Sequence, residues 1–305
     1  MEYLTLNTGA KMPVLGLGTW KSEPNQVGDA VKYALTEAGY QHIDCAPIYQ
    51  NEPEVGAALQ AVFKSGAVQR EDIFVTSKLW NHMHARADVR TACETTLRDL
   101  QLDYLDLFLI HWGLTLQSGT GRTAEGHTAL APVSIRETWE AMEDLAKAGL
   151  VRAIGVANFT GPMIIDLLAY AKTKPAVNQI ELHPYLQQTE LIDFCRRNSI
   201  TMTAYSPLGR PGEVRTGNGQ PVLIDDPKIK AIADAHQKTP AQVLLRWGIQ
   251  RGTIVIPKST TPIRIKENIN VFDFALSATE LAAIASLDRK HRFVDAKWWD
   301  IAYFD

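Results

Sequence analysis

Eight short apolar runs, each separated from the next by a stretch of helical periodicity, predict an α/β fold whose parallel strands close into a barrel. Two further observations agree with that. The runs are brief and bounded by polar sequence, as parallel strands covered on both faces should be. At 305 residues the chain is somewhat long for an ordinary domain, yet α/β barrels of this size are single units. Right-handed crossovers then place every helix outside, giving a (β/α)8 TIM barrel spanning 1–305 as one domain. The same alternation would also suit an open, doubly wound sheet, which is the alternative.

The elements follow in order. Before residue 14, YLTL and a turn at Asn7 to Gly9 read as a small hairpin plugging the bottom of the barrel. The strands are VLGLG (14–18), QHID (41–44), IFVTSK (73–78) and LDLFLIH (105–111), then RAIGVAN (152–158), AVNQI (176–180), ITMTAY (200–205) and TIVIPK (253–258). Helix starts are marked by the capping-box pairs Ser134 with Glu137 and Ser277 with Glu280, and by Thr239-Pro240 and Thr261-Pro262. Gly39, Gly66 and Gly149 stand where helices should stop. Two long polar stretches, 113–133 and 209–226, follow strand C-terminal ends, on the face where barrel enzymes build their sites. Helices at 261–269 and 277–287 and an aromatic tail complete the chain.

Composition excludes several classes of function. A net charge of −3 leaves no electrostatic footprint for nucleic acid or acidic membrane. No stretch is long and apolar enough to span a bilayer, and no basic segment leads into an apolar core at the N-terminus, so a cytoplasmic protein is expected. Cys45, Cys93 and Cys195 are widely separated and read as reduced thiols. The eight histidines never take metal-ligand spacing; His82 and His84 read as solvated loop residues, and no metal is expected. GLGTWK at 16–21 has Lys21 where a dinucleotide fingerprint needs its third glycine, so it reads as a strand exit with little bulk. Tyr170 and Lys174 have Tyr-x-x-x-Lys spacing but fall at a helix end, as surface residues.

Four polar residues stand where apolar strands run out: Asp44 and Tyr49 in HIDCAPIY, Lys78 closing IFVTSK and His111 closing LDLFLIH. A phenol is a weak acid, and a nearby ammonium is expected to lower its pKa by stabilising the phenolate. A carboxylate keeps that ammonium charged, and an imidazole can position a carbonyl oxygen. The set suits proton donation to a carbonyl while another group delivers hydride.

The segments GLGTW (16–20), GYQHIDCAPIYQNE (39–52), TSKLWN (76–81), LDLFLIHW (105–112), IGVANF (154–159), NQIELHPY (178–185), AYSPLG (204–209) and IPKSTTPIRIKENINVFDF (256–274) resemble the aldo-keto reductases, in order and over essentially the full length. The resemblance implies an NADP(H)-dependent reductase of aldehydes and ketones, with sugars among possible substrates. It assigns Tyr49 as general acid, Lys78 and Asp44 as its supporting ion pair and His111 as the carbonyl-orienting residue. It places Asn158 and Gln179 at the nicotinamide carboxamide, Tyr205 against the nicotinamide ring, and Ser206, Pro207, Leu208 and Gly209 beneath the pyrophosphate. Thr19, Asp44 and Pro257 also line the implied cofactor site. Lys258, Ser259, Thr260 and Arg264 would surround the 2′-phosphate, with Glu267 and Asn268 at adenine. Two cations beside a dianionic phosphate make charge-assisted bonds that NAD cannot return.

Of seven tryptophans, Trp139 and Trp247 fall on helical patterns and read as core. Trp20, Trp80 and Trp112 each follow a strand exit, and the resemblance places them with Ile48, Tyr49 and His111 around the substrate. The tail from Arg289, with Phe293, Trp298 and Trp299, is expected to close the pocket beside Trp20 and Trp112, leaving the melting temperature little dependent on it; packing on outer helices is the alternative. Ala157 replaces a common serine and Gly113 a usual proline, the latter expected to leave the first long loop freer. The second long loop shows no obvious anchors. A small-molecule carbonyl substrate and a monomer are expected, with a dimer or an NADPH-binding structural or regulatory subunit of little activity as alternatives.

Overall fold

The hydrogen bonds of three residues decide that the sheet closes. In the computed structural model, which describes residues 1–119, 121–214, 219 and 221–304, eight parallel strands run in the order β3 (Leu17–Gly18), β4 (His42–Asp44), β5 (Phe74–Leu79), β6 (Leu107–Ile110), β7 (Ile154–Ala157), β8 (Val177–Glu181), β9 (Thr201–Tyr205) and β10 (Ile254–Val255). The seam forms where Gly16 N donates to Val255 O at 2.9 Å, Val255 N to Val14 O at 2.9 Å and Gly18 N to Pro257 O at 3.1 Å. Here the glycines of GLG are required. A Cβ at Gly18 would stand 2.8 Å from Ile256 O, and one at Gly16 would stand 2.4 Å from the His42 ring. Lack of bulk at this strand exit lets the barrel shut.

The N-terminal hairpin is present as β1 (Tyr3–Thr5) and β2 (Lys11–Pro13), paired antiparallel. Leu6 and Met12 are buried against Phe74, Leu107, Val177 and Ile254, residues at the starts of barrel strands, so the hairpin seals the bottom. Asn7 Nδ2 donates to Pro175 O at 2.9 Å and fixes it there.

Helices α1 (Val27–Tyr33), α2 (Glu52–Ser65), α3 (Arg86–Leu100), α4 (Ile135–Lys147), α5 (Gly161–Tyr170), α6 (Thr189–Arg197), α7 (Pro211–Val214), α8 (Pro227–His236), α9 (Pro240–Gln250), α10 (Pro262–Ile269) and α11 (Ala278–Ala285) complete the chain. Trp139 and Trp247 lie in the core, as their helical positions suggest. Ser277 and Glu280 form a full capping box, as do Thr239 and Gln242. Two start signals work differently from expectation. Ser134 caps Glu137 N, but Glu137 Oε1 accepts from Arg86 N instead of returning the bond, because the start of α3 lies against it. Thr261 does not cap α10 with its side chain; its own N–H is taken by Ser259 Oγ at 3.1 Å.

His84 corrects the sequence reading. It is fully buried while His82 is exposed, because the short turn after β5 folds it inward, where His84 Nδ1 lies 3.1 Å from Thr115 Oγ1. Gly113 is likewise not a point of freedom. Its N–H donates to the Tyr303 hydroxyl at 2.7 Å, and Phe159 and Met163 crowd the position of a Cβ. A proline there would lose the donor. The first long loop is further tied by bridges between Leu116 and Leu130 and between Arg122 and Thr128. The middle of the second long loop, 215–218 and 220, lies outside the described residues. Among the described residues no helix is long and apolar enough to cross a membrane.

Two stability predictions follow from α2. A Cβ at Gly56 would stand 2.3 Å from Asp99 O at the end of α3. Alanine gains about 1 kcal/mol of helix propensity over glycine, but overpacking against backbone costs about 1–3 kcal/mol, so the clash wins. Gly56→Ala should therefore lower the melting temperature, and an unchanged or raised value would show that the helices part freely. At the head of α2, Glu52 is buried and accepts from Ser77 Oγ at 2.5 Å and Thr96 Oγ1 at 3.2 Å. Burial pushes its pKa up from 4.5 to about 7, against the pull of both hydroxyls. Because the folded value is the higher one, its contribution is complete below the unfolded pKa and is lost as pH rises through about 7. Glu52→Gln should flatten the fall in melting temperature between about pH 5 and 8, read by scanning calorimetry.

Candidate active site

Register sets the site. Asp44 is the last residue of β4, Lys78 lies near the end of β5, and His111 follows the last residue of β6. Their strands are neighbours in the sheet, so the three side chains emerge at one end of the barrel. Tyr49 comes back over them because Ala46 is extended and a single 3-10 turn, Pro47–Tyr49, follows at once. Lys78 Nζ donates to Asp44 Oδ1 at 2.5 Å, to Cys45 O at 2.9 Å and to Tyr49 Oη at 3.3 Å. All three ammonium hydrogens have acceptors. Asp44 and Lys78 are 2% and 1% exposed, so neither charge could stay without the other.

Burial would lower the Lys78 pKa, but Asp44 and then Tyr49 outweigh it and hold the pKa above the ordinary lysine value. Tyr49 departs from expectation. Burial pushes its phenol up to about 12, and the Lys78 ammonium only moderates that rise. The phenol is therefore protonated at neutral pH, as a proton donor must be. Burial, then Lys78, then His84 hold His111 well below the usual histidine pKa, so its imidazole is neutral. Its ring meets Tyr49 at 6.1 Å and Trp80 at 5.1 Å between centroids.

The residues assigned to a cofactor divide into a buried floor and an open rim. On the floor, Gln179 Nε2 donates to Asp44 Oδ2 at 2.7 Å, and Thr19 Oγ1 donates to Asp44 O at 2.8 Å. Asn158, in left-handed backbone with φ 62°, donates to His111 O at 3.0 Å and accepts from Tyr205 Oη at 2.8 Å. These amides thus tie the strand ends to one another. Ser206, Pro207, Leu208 and Gly209 form a turn closed by Gly209 N on Ser206 O at 2.9 Å. A Cβ at Gly209, whose φ is 70°, would stand 2.8 Å from Leu223 Cβ.

On the rim, Pro257 belongs to the barrel seam, while Lys258 and Arg264 are exposed. Among the described residues neither cation has a carboxylate within ion-pair distance. Ser259 and Asn268 are buried beside them, Thr260 and Glu267 half-buried. Two cations outside ion-pair distance of any described carboxylate, with Glu23 acting on Lys258 from farther off, in a segment that also carries a buried hydroxyl and amide, fit a phosphate-bearing cofactor. Among the described residues no cluster of three or more His, Cys, Asp or Glu could hold a metal ion.

Of the aromatic set, Trp112 is the hub. Trp299 meets it at 4.6 Å, Tyr303 at 5.2 Å and Trp298 at 6.0 Å, so the tail packs on the barrel mouth, with Met163 of α5 against the same cluster. Trp20 is flanked instead by Lys21 at 4.7 Å and Arg210 at 4.8 Å. Ile48 is exposed and Trp80 half-buried. The tail is also structural, contrary to expectation. Buried Glu181 pairs with His183 at 2.7 Å and accepts from Phe293 N at 2.7 Å and Val294 N at 2.9 Å, so removing residues 289–305 would take two of the three donors from a buried carboxylate. Glu181 and Tyr303 were missed in the sequence; the one signal was an acidic residue inside the apolar run NQIELH.

Comparison with known proteins agrees with this architecture. The model of the Aldo/keto reductase family matches residues 14–289. The chain is 51% identical over 295 residues to "Aldo-keto reductase family 1 member A1-A" of Danio rerio, covering 95% of this chain and 91% of that protein. It is 49% identical over 293 residues to "Aldo-keto reductase family 1 member A1" of Homo sapiens, covering 95% and 90%. The solved structure of the aldose reductase from Schistosoma japonicum superposes with a TM-score of 0.92 at 44% identity, covering 98% of this chain and 96% of that one. A closed barrel carrying these residues at its strand exits, matched over nearly its whole length, makes the chain a member of the aldo/keto reductase family.

Proposed function

We propose that this protein reduces aldehydes and ketones to alcohols, with NADPH as hydride donor and Tyr49 as general acid. The observation that carries the reading is the buried ammonium of Lys78, bonded at once to Asp44 Oδ1 and Tyr49 Oη. Bound NADPH would supply the hydride that forms the new C–H bond. As the carbonyl π pair moves onto oxygen, Tyr49 gives its hydroxyl proton to that oxygen. The phenolate left behind is stabilised by Lys78, whose own charge is held by Asp44. Neutral His111 donates an N–H to the carbonyl oxygen and orients it toward Tyr49. Lys258 and Arg264 would bind the 2′-phosphate. The aromatic wall of Trp112, Trp299 and Tyr303 favours carbonyl compounds with an apolar body.

Two measurements test the reading. Tyr49→Phe should keep NADPH affinity and lose about a hundredfold to ten-thousandfold in turnover with a simple aldehyde, since general acid catalysis supplies that much. Lys78→Met should be as severe; wild-type turnover in Tyr49→Phe would remove the assignment. Arg264→Ala should weaken NADPH about tenfold to a hundredfold, because a charged hydrogen bond is worth about 1.5–3 kcal/mol, while NADH binding barely changes. Equal weakening of both in a fluorescence titration would mean that Arg264 does not read the phosphate.

A further inference from the structure

Next to the exits of β5 and β6, three buried side chains leave polar atoms without a hydrogen-bond partner among the described residues: Nδ1 of His111, Nε2 of His84, and both side-chain atoms of Asn81. Asn81 and His84 have no exposed surface. Unsatisfied buried polar groups are costly and rare, so a shared arrangement is expected to satisfy them together.

The backbone brings the three to one place. Leu79 pairs with Ile110, and His111 N donates to Leu79 O at 3.1 Å, so Asn81 and His111 leave neighbouring strands at nearly the same level. Trp80, next to Asn81, lies edge-on to the His111 ring at 5.1 Å. Asn81 O accepts from Leu116 N at 3.1 Å, and the adjacent Thr115 touches His84.

The protons can be followed. Thr115 donates its one hydroxyl hydrogen to Val133 O at 3.3 Å, so its oxygen accepts from His84 Nδ1–H at 3.1 Å. Burial drives the His84 pKa down to about 3, so the ring is neutral and Nε2 carries only a lone pair. His111 is neutral too, and if its single N–H points at a carbonyl oxygen from Nε2, buried Nδ1 is a second lone pair. Two ring lone pairs and one buried amide with two N–H groups are then without a bonded partner at these neighbouring strand exits, and the amide carries the only N–H groups of the three side chains that are not already committed.

We propose that Asn81 is a positioning residue whose amide N–H groups, through an intervening water, serve the lone pairs of His111 Nδ1 and His84 Nε2 and keep the proton of His111 on Nε2. Its consequence for turnover rests on the reductase reading, whereas the tautomer does not. An amide in this place holds the imidazole as a hydrogen-bond donor toward the substrate. A carboxylate of the same shape would accept instead, and would draw the proton onto Nδ1.

The test is two-bond proton–nitrogen NMR of the full chain with isotopically labelled histidine, followed by kinetics. Wild-type His111 should be the Nε2–H tautomer; finding Nδ1–H in the wild type would overturn the proposal without any variant. In Asn81→Asp, His111 should shift to Nδ1–H or to the imidazolium, and kcat should fall about tenfold to a hundredfold with NADPH affinity unchanged, the range seen when the hydrogen-bond partner that orients a metal-bound histidine is lost. An unaltered Nε2–H signal in Asn81→Asp would also overturn it. An Nε2–H tautomer in wild-type protein that fails to reduce carbonyls would support the positioning role and sink the reductase reading.

Discussion

Everything at the open end of this barrel is arranged around one buried ion pair. Asp44 and Lys78 are held at 2.5 Å with almost no exposure, and taking one of two such charges away typically costs about 3–5 kcal/mol. The pair is tolerable because its other valences are filled. Lys78 also bonds Cys45 O and Tyr49 Oη, and Asp44 also accepts from Gln179. Three strands and the turn after β4 must therefore lie where they do for the charges to remain. The barrel closes on glycines at the seam for the same end, since bulk at Gly16 or Gly18 would force β3 away from β10 or from the His42 ring.

The electrostatics explain why the phenol stays a phenol. Burial raises the Tyr49 pKa to about 12 despite the neighbouring ammonium. The value for a proton donor is set by what it gives its proton to, and a developing alkoxide is a far stronger base than neutral water. In the proposed reduction Lys78 would act on the phenolate that transfer leaves, more than on the resting phenol. Neutral His111 completes the division of labour, because a positive imidazolium beside Lys78 would be disfavoured by both burial and like charge.

A second tie joins the site to the end of the chain. Glu181 on β8 takes the backbone N–H of Phe293 and Val294, and Arg210 donates to Phe293 O at 2.9 Å while lying over Trp20. Tyr303 reaches back to Gly113, and Arg122 and Thr128 of the first long loop donate to the carbonyls of Trp298 and Trp299. The aromatic wall is thus held by polar bonds at its back. Its position and the stability of the barrel are linked, which is why the tail serves both.

The sequence by itself determined the strand order, the hairpin plug, several helix ends and the convergence of Asp44, Tyr49, Lys78 and His111. These rest on local causes: period, apolar runs, glycine stops and polar residues where a strand must meet water. Motif likeness added the family and the cofactor assignments. What only the tertiary structure decided is which polar atoms meet. His84 looked like a loop histidine until the turn after β5 folded it inward, and Gly113 looked loose until Tyr303 was found on its N–H. Glu137 turned from its own cap to Arg86, and Glu181, besides nearby His183, found backbone donors 112 and 113 residues away. Burial, and the hydrogen bonds it makes obligatory, depends on distant segments arriving at one place, and no local pattern records who will arrive.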